Sequence, residues 1–183
     1  MFEYLNFVPG AKSSGFRFAS APDRMKDPVF RENIGLLAEL GWVFELQVFA
    51  SQMADATEFV ADFPDTTFVL IHAGMLVSRE EREVAAWRAG LQQLAEQPNV
   101  VVKLTGQGTF VHSVDEDLIR FVAETAVGLF GPERCMWGSN FPIEALWTDF
   151  ATLLGTWLHV LSDYPVEARR QMLGATARRV YAL

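Results

Sequence analysis

The sequence predicts an α/β fold built on a parallel sheet, and three observations carry that reading. Apolar runs of strand length recur along the chain and alternate with segments of helical period. Glycine, proline and asparagine punctuate the boundaries. Three of the runs stop on a polar residue beside a small one: Phe68-Val69-Leu70-Ile71 leads into His72-Ala73-Gly74, Val100-Val101-Val102 into Lys103-Leu104-Thr105-Gly106, and Cys135-Met136-Trp137 into Gly138-Ser139-Asn140-Phe141-Pro142. Parallel α/β proteins place their sites at such strand ends.

The elements follow in order. After a loop-like opening marked by Pro9, Gly10, Ser13 and Ser14, Gly15 to Ala19 reads as a first strand. A helix is expected from Pro28 to Leu40, because proline suits a first turn, Gly41 a stop, and Phe30, Ile34, Leu37 and Ala38 share one face. Trp42 to Phe49 is the next strand, followed by a helix from Gln52 to Phe63 and a Pro64-Asp65 turn into the strand Thr67 to Ile71. Val84, Trp87, Leu91 and Leu94 recur at helical spacing within a helix from Arg79 to Gln97, which Pro98-Asn99 ends. A strand at Val100 to Leu104, a helix over Asp115 to Leu129, a Gly131-Pro132 break and a strand at Cys135 to Gly138 come next. Two helices, near Ile143 to Leu161 and Pro165 to Leu183, close the chain.

Five strands separated by helices imply right-handed crossovers, in an open doubly wound layout or in part of a barrel, and periodicity does not separate the two. No Gly-x-Gly-x-x-Gly follows the first strand and no Walker-type loop occurs, so a nucleotide-binding glycine loop has no support. The 183 residues suit one domain, and with half of them hydrophobic a sizeable core is available. A formal charge of −8 without a basic cluster argues against nucleic acid as a partner. No stretch approaches the roughly 20 apolar residues of a membrane span, and the start lacks a basic, then apolar leader, so a cytoplasmic protein is expected. A single cysteine, Cys135, precludes an intrachain disulfide and reads as core filler.

Taken in order, Gly15-Phe16-Arg17, Phe44-Glu45-Leu46-Gln47-Val48, His72-Ala73-Gly74, Val102-Lys103-Leu104-Thr105-Gly106 and Arg134-Cys135-Met136-Trp137-Gly138-Ser139-Asn140-Phe141-Pro142 resemble the amidohydrolase-related proteins. The likeness is nearest to the branch of pyrone-dicarboxylate and sugar-lactone hydrolases. It implies a TIM-like (β/α) barrel hydrolase in which water attacks a lactone or related carbonyl. This chain would supply about the last five βα units, as a single domain that is incomplete at its amino end. The His-x-His pair that the family carries at the end of its first strand is absent, for His72, His112 and His159 form no such pair. The length also falls short of the ~250 residues of a full barrel. The branch implied is metal-independent, and no cofactor is expected.

Within that frame His72 is the first catalytic candidate, an imidazole at a strand end that can polarise a carbonyl or hold a water; the alternative is a histidine hydrogen-bonded in a loop. Asn140 stands where many relatives have Asp. An amide cannot accept a proton as a base does, so it either orients water or substrate, or shapes the turn through an Asx-type hydrogen bond. Arg17, Gln47 and Lys103 lie on or near strand ends as candidate substrate-binding residues, with Arg17 suited to clamp a carboxylate and Lys103 acting as a point charge. Glu45, on the same strand face as Gln47, is either a base or a partner for Arg17. His112 and His159 lie outside the motifs and read as surface residues, and the five tryptophans read mainly as core.

Two functions stay open. One is a hydrolase of a small carboxylated lactone or similar cyclic ester. The other is a catalytically silent remnant, or a subunit that acts after pairing, since five barrel strands leave two open edges and an unfilled interior that favour self-association. A zinc-dependent decarboxylase of the same superfamily is a third possibility for which no ligand set is visible.

Overall fold

In the computed structural model, residues 6–8 and 24–183 are described. Five strands form one sheet in chain order: β1 (Asn6–Val8), β2 (Val43–Leu46), β3 (Thr67–Leu70), β4 (Val100–Leu104) and β5 (Cys135–Trp137). The last four are parallel, with Glu45 opposite Val69, Val69 opposite Val101 and Lys103 opposite Met136. β1 runs antiparallel to β2, within the stretch that the sequence alone marks as a loop-like opening. The expected strand at Gly15 to Ala19 lies outside the described residues.

Helices follow each parallel strand and cover one face of the sheet. The described helices are α1 (Pro28–Glu39), α2 (Met53–Ala61), α3 (Glu81–Ala95), α4 (Glu116–Phe130), α5 (Phe150–Leu161), α6 (Val166–Arg170) and α7 (Thr176–Tyr181). Three begin on an aspartate whose carboxylate takes an otherwise unpaired N–H: Asp27 for Phe30, Asp115 for Leu118 and Asp149 for Thr152. The Asp149 cap explains one difference from expectation. Ile143 to Leu161 is not one helix but a 3-10 turn at Ile143–Leu146 and a fresh start at Phe150. The segment from Pro165 onward is likewise interrupted, by a π turn at Gln171–Ala175 between α6 and α7. None of these helices is long and apolar enough to cross a membrane.

The two faces of the sheet carry different chemistry because side chains alternate along each strand. On the helix side Phe44, Leu46, Phe68, Leu70, Val100, Val102, Leu104 and Cys135 join the main core with Trp87, Leu91, Leu94, Phe130 and Trp157. The Cys135 thiol is buried there and desolvation pushes its pKa up to about 12, which suits inert filler rather than a nucleophile. On the other face Val43, Val69, Ile71, Val101 and Met136 form a second cluster, covered by Ala177, Val180 and Tyr181. The interior face is therefore not left open, as expected from a bare segment of barrel; the chain's own carboxyl-terminal helix packs on it.

Hydrogen bonds join neighbouring units. The Arg134 guanidinium, just before β5, donates to the carbonyls of Phe130, Gln97 and Ala95 and so closes the ends of α4 and α3 together. Asn99, before β4, donates to carbonyls of Val60, Phe63 and Thr66 in the preceding unit.

Close packing sets the sign of two glycine substitutions. Gly90 of α3 lies against Met53 of α2, and an added Cβ would come within 2.6 Å of the Met53 Cβ, an atom that cannot swing away. Gly155 of α5 is exposed and meets nothing within 4 Å. Gly90→Ala is expected to destabilise by about 1–3 kcal/mol despite its better helix propensity, whereas Gly155→Ala gains about 0.5–1 kcal/mol. Urea unfolding of the two variants checks both signs.

Candidate functional site

The carboxyl ends of the parallel strands open into a cleft of about 330 Å³. β2 contributes Glu45, the turn after β3 contributes Ile71 and His72, β4 and its continuation contribute Lys103 and Thr105, and the segment after β5 contributes Gly138, Ser139, Asn140 and Phe141. A groove of about 400 Å³ between α3 and α4, lined by Arg88, Gln92 and Phe121, is larger, but it lies on the helical surface away from every strand end. The strand-end cleft is the better candidate because polar groups from four units converge in it.

At its floor is an ion pair. Lys103 Nζ donates to Glu45 Oε1 at 2.7 Å, and the Tyr181 hydroxyl donates to the same oxygen at 2.6 Å. Glu45 is 6% exposed. The Lys103 ammonium also sits 5.4 Å from the centre of the Tyr181 ring. Burial and the neighbouring carboxylate raise the Tyr181 pKa, so the phenol stays protonated and donates.

His72 stands beside this pair in an unusual backbone. His72, Ala73, Gly74 and Met75 all have positive φ, at 56°, 47°, 74° and 51°. For residues with a side chain the left-handed region costs about 1–2 kcal/mol each. The turn is held from three sides: the Trp87 indole donates to the Ala73 carbonyl at 2.7 Å, the Met75 N–H to the His72 carbonyl at 3.0 Å, and the His72 N–H to Thr105 Oγ1 at 3.3 Å. Thr105 Oγ1 also lies 2.7 Å from His72 Nδ1. That hydroxyl can donate to Nδ1, and in the tautomer so paired the ring proton sits on Nε2. Gly106 allows the approach, because a Cβ there would sit 2.9 Å from His72 Cε1.

Burial lowers the His72 pKa to about 4, opposed by a hydrogen bond to the Thr105 backbone, aided by the Lys103 charge and opposed again by Glu45. The imidazole is therefore neutral at neutral pH. A neutral imidazole with Nε2–H is a hydrogen-bond donor rather than a strong base.

Asn140 reaches the cleft from the other side, with φ 57°, a conformation that asparagine tolerates. Its Nδ2 donates to Glu144 Oε1 at 3.1 Å. The short-range turn bond is made instead by Ser139, whose Oγ accepts from the Phe141 N–H at 3.3 Å. Glu144 is buried and also accepts from Trp147 Nε1 at 2.6 Å.

Of the residues singled out from sequence, His72, Lys103 and Asn140 line one cleft. Gln47 does not line it; its Nε2 lies 3.1 Å from Met75 Sδ, under the left-handed turn. Arg17 lies outside the described residues, and among the described residues Glu45 pairs with Lys103. His112 and His159 are exposed, as expected. Among the tryptophans, Trp87 and Trp157 are core, but Trp42 is 38% exposed and Trp147 has the polar role just described. Three residues of the site were not singled out. Thr105 stood inside a quoted motif, Glu144 follows Asn140 at helical i, i+4 spacing, and Tyr181 carries no local signal.

Comparison with known proteins gives the family. Residues 6–183 match the amidohydrolase family model. The chain is 31% identical over 192 residues to the L-fucono-1,5-lactonase of Burkholderia multivorans, an alignment that takes in 95% of this chain and 64% of the lactonase. The crystal structure of an amidohydrolase from Burkholderia multivorans with bound zinc superposes with a TM-score of 0.81 at 29% identity, covering 87% of this chain and 59% of that one. A Pseudomonas putida protein assigned as a 2-pyrone-4,6-dicarboxylic acid hydrolase shares the fold, with a TM-score of 0.75 at 21% identity, over 89% of this chain and 59% of that one. This chain thus spans about three fifths of the length of these relatives, and its sheet corresponds to part of their barrel. With four parallel strands ending in one polar cleft and a family match over nearly every residue, the chain belongs to the amidohydrolase family.

Proposed function

We propose that the cleft hydrolyses a small lactone, with water attacking the ring carbonyl at the carboxyl ends of β2 to β5. The observation that carries this reading is the neutral His72, held by Thr105 in a left-handed turn beside Lys103 and opposite Asn140. His72 Nε2–H would donate to the carbonyl oxygen, where negative charge develops in the transition state. Lys103, balanced by Glu45, adds a positive pole on the same side. Asn140 would accept a hydrogen bond from the attacking water and so fix its position. Glu45 Oε2, the carboxylate oxygen not taken by Lys103 and Tyr181, would receive the water proton, which then passes to the ring oxygen as the C–O bond breaks. The likeness to a fuconolactonase supports this substrate class, and Arg17 is the residue that would serve a carboxylate on the substrate.

The described residues do not fit zinc, although a structural relative carries it. Among them no three His, Cys, Asp or Glu side chains come together, and one oxygen of Glu45 already accepts from an ammonium and a phenol. No step of this reading runs through a metal.

Turnover of a panel of neutral sugar lactones and carboxylated lactones tests the reading. His72→Asn keeps a residue that accepts the left-handed backbone and removes the imidazole donor. It is expected to lower kcat by about a hundredfold or more with little change in KM. Wild type without turnover on any lactone, or a His72→Asn variant as fast as wild type, would sink it.

The lowered pKa of His72 also predicts a stability signature. The folded value of about 4 lies below the ordinary 6.5, so the unfolded chain binds the proton more readily between them. Stability is therefore full above 6.5 and declines as pH falls from there toward 4. Between about pH 7.5 and about pH 5, wild type should lose about 2 kcal/mol more than His72→Asn, read from urea unfolding at the two values.

A further inference from the structure

We propose that Glu144 is a positioning residue of this cleft: buried behind it, Glu144 takes the amide N–H of Asn140 and turns the Asn140 carbonyl oxygen, an acceptor only, toward the substrate space. The link to turnover rests on the lactone reading above; the pairing of the two side chains rests on hydrogen-bond geometry alone.

The carboxylate is fixed at both ends. Oε2 accepts from the Trp147 indole, which can only donate, and Oε1 accepts from Asn140 Nδ2. The backbone closes the same turn, with the Glu144 N–H donating to the Asn140 carbonyl at 3.2 Å. Glu144 is 1% exposed, so neither oxygen has water as an easy substitute. From the loop after β4, Gly108 lets the chain close over the carboxylate, because a Cβ there would lie 2.6 Å from Glu144 Oε2. The His112 ring, from that same loop, stacks on Trp147 with centroids 5.4 Å apart. Two segments, the loop after β4 and the stretch from Asn140 to Trp147, therefore hold one side chain whose partner, Asn140, lines the cleft.

This arrangement accounts for an amide at position 140. Two carboxyl groups at hydrogen-bond distance in a buried turn cannot both ionise. It also separates a positioning role from a merely structural one. In Glu144→Gln the oxygen must still face Trp147, so the new NH₂ faces Asn140, which has to flip and present its own NH₂ to the cleft. The number of hydrogen bonds is kept and the acceptor is lost. In the double variant Asn140→Asp/Glu144→Gln, the glutamine donates to one aspartate oxygen and the other faces the cleft as an acceptor again.

The experiment compares wild type, Glu144→Gln, Asn140→Asp and the double variant as full chains, by urea unfolding from about pH 5 to about pH 8 and by kcat and KM on a lactone that wild type hydrolyses. Glu144→Gln is expected to leave the unfolding midpoint nearly unchanged and to lower kcat at least tenfold at constant KM. Asn140→Asp should lose stability as pH rises, since a pair sharing one proton holds it more tightly when folded than when unfolded. The double variant should lose that dependence and recover most of kcat. The other titratable groups nearby, His72, Lys103 and Glu45 across the cleft and His112 on Trp147, are common to all four proteins and cancel in the comparison. The proposal is overturned if Asn140→Asp follows the wild-type pH dependence, or if the kcat lost in Glu144→Gln is not regained in the double variant. Absence of turnover in wild type would overturn the hydrolase reading alone, and the pH dependence of Asn140→Asp would still decide the pairing.

Discussion

The Glu45–Lys103 pair is the constraint on which the cleft depends. The two residues sit on β2 and β4, with β3 between them, yet their side chains meet at 2.7 Å. A carboxylate 6% exposed is destabilising by several kcal/mol unless it is paired and hydrogen-bonded. Glu45 meets that requirement with an ammonium and a phenol on one oxygen. The two long side chains reach each other across β3, and the cleft lies at this polar end of the face. Toward the other end of the strands the same face is apolar, with Val43, Val69 and Val101 beneath Ala177, Val180 and Tyr181. The face thus changes from apolar to polar along its length, and Tyr181 joins the two parts, its ring in the apolar cluster and its hydroxyl on Glu45.

Strain in the turn after β3 is offset by the same core. Three non-glycine residues in the left-handed region would relax if left to themselves, and the buried Trp87 prevents it by holding the Ala73 carbonyl. Trp87 belongs to α3, the helix that follows this turn, and is itself fixed among the main core residues. The orientation of His72 is therefore set from the core outward, through Trp87 on one side and Thr105 on the other. A loop held this tightly can present one ring nitrogen to a substrate without reorganising.

The elements of the fold were largely legible in the sequence because local signals specify them. Pro28, Gly41, Pro98-Asn99 and Gly131-Pro132 mark boundaries through backbone chemistry that acts over a few residues. The places that were misread are those where tertiary contacts decide. The break before α5 follows from the Asp149 cap, which a continuous apolar period concealed, and the path of α7 across the sheet follows from an apolar face that needed covering. For the site, motif position located His72, Lys103 and Asn140 in one cleft. It did not separate Gln47, which lies on the same strand period as Glu45 but falls one residue beyond β2 and turns to Met75. Partners 58 and 136 residues away from Glu45 leave no trace at that distance in a single sequence.

The charge balance of the cleft bears on what it would accept. Among its described residues the Lys103 cation is neutralised by Glu45, His72 is uncharged because of burial, and Asn140 is an amide, so no net charge is left to attract an ion. The chain as a whole carries −8, which repels anions at long range. On the proposed reading, a neutral polyol lactone would meet no electrostatic barrier in such a cleft and would be held by hydrogen bonds. A carboxylated lactone needs a further cation to offset both the desolvation of its charge and the field of the protein. Arg17 is the residue the sequence offers for that purpose.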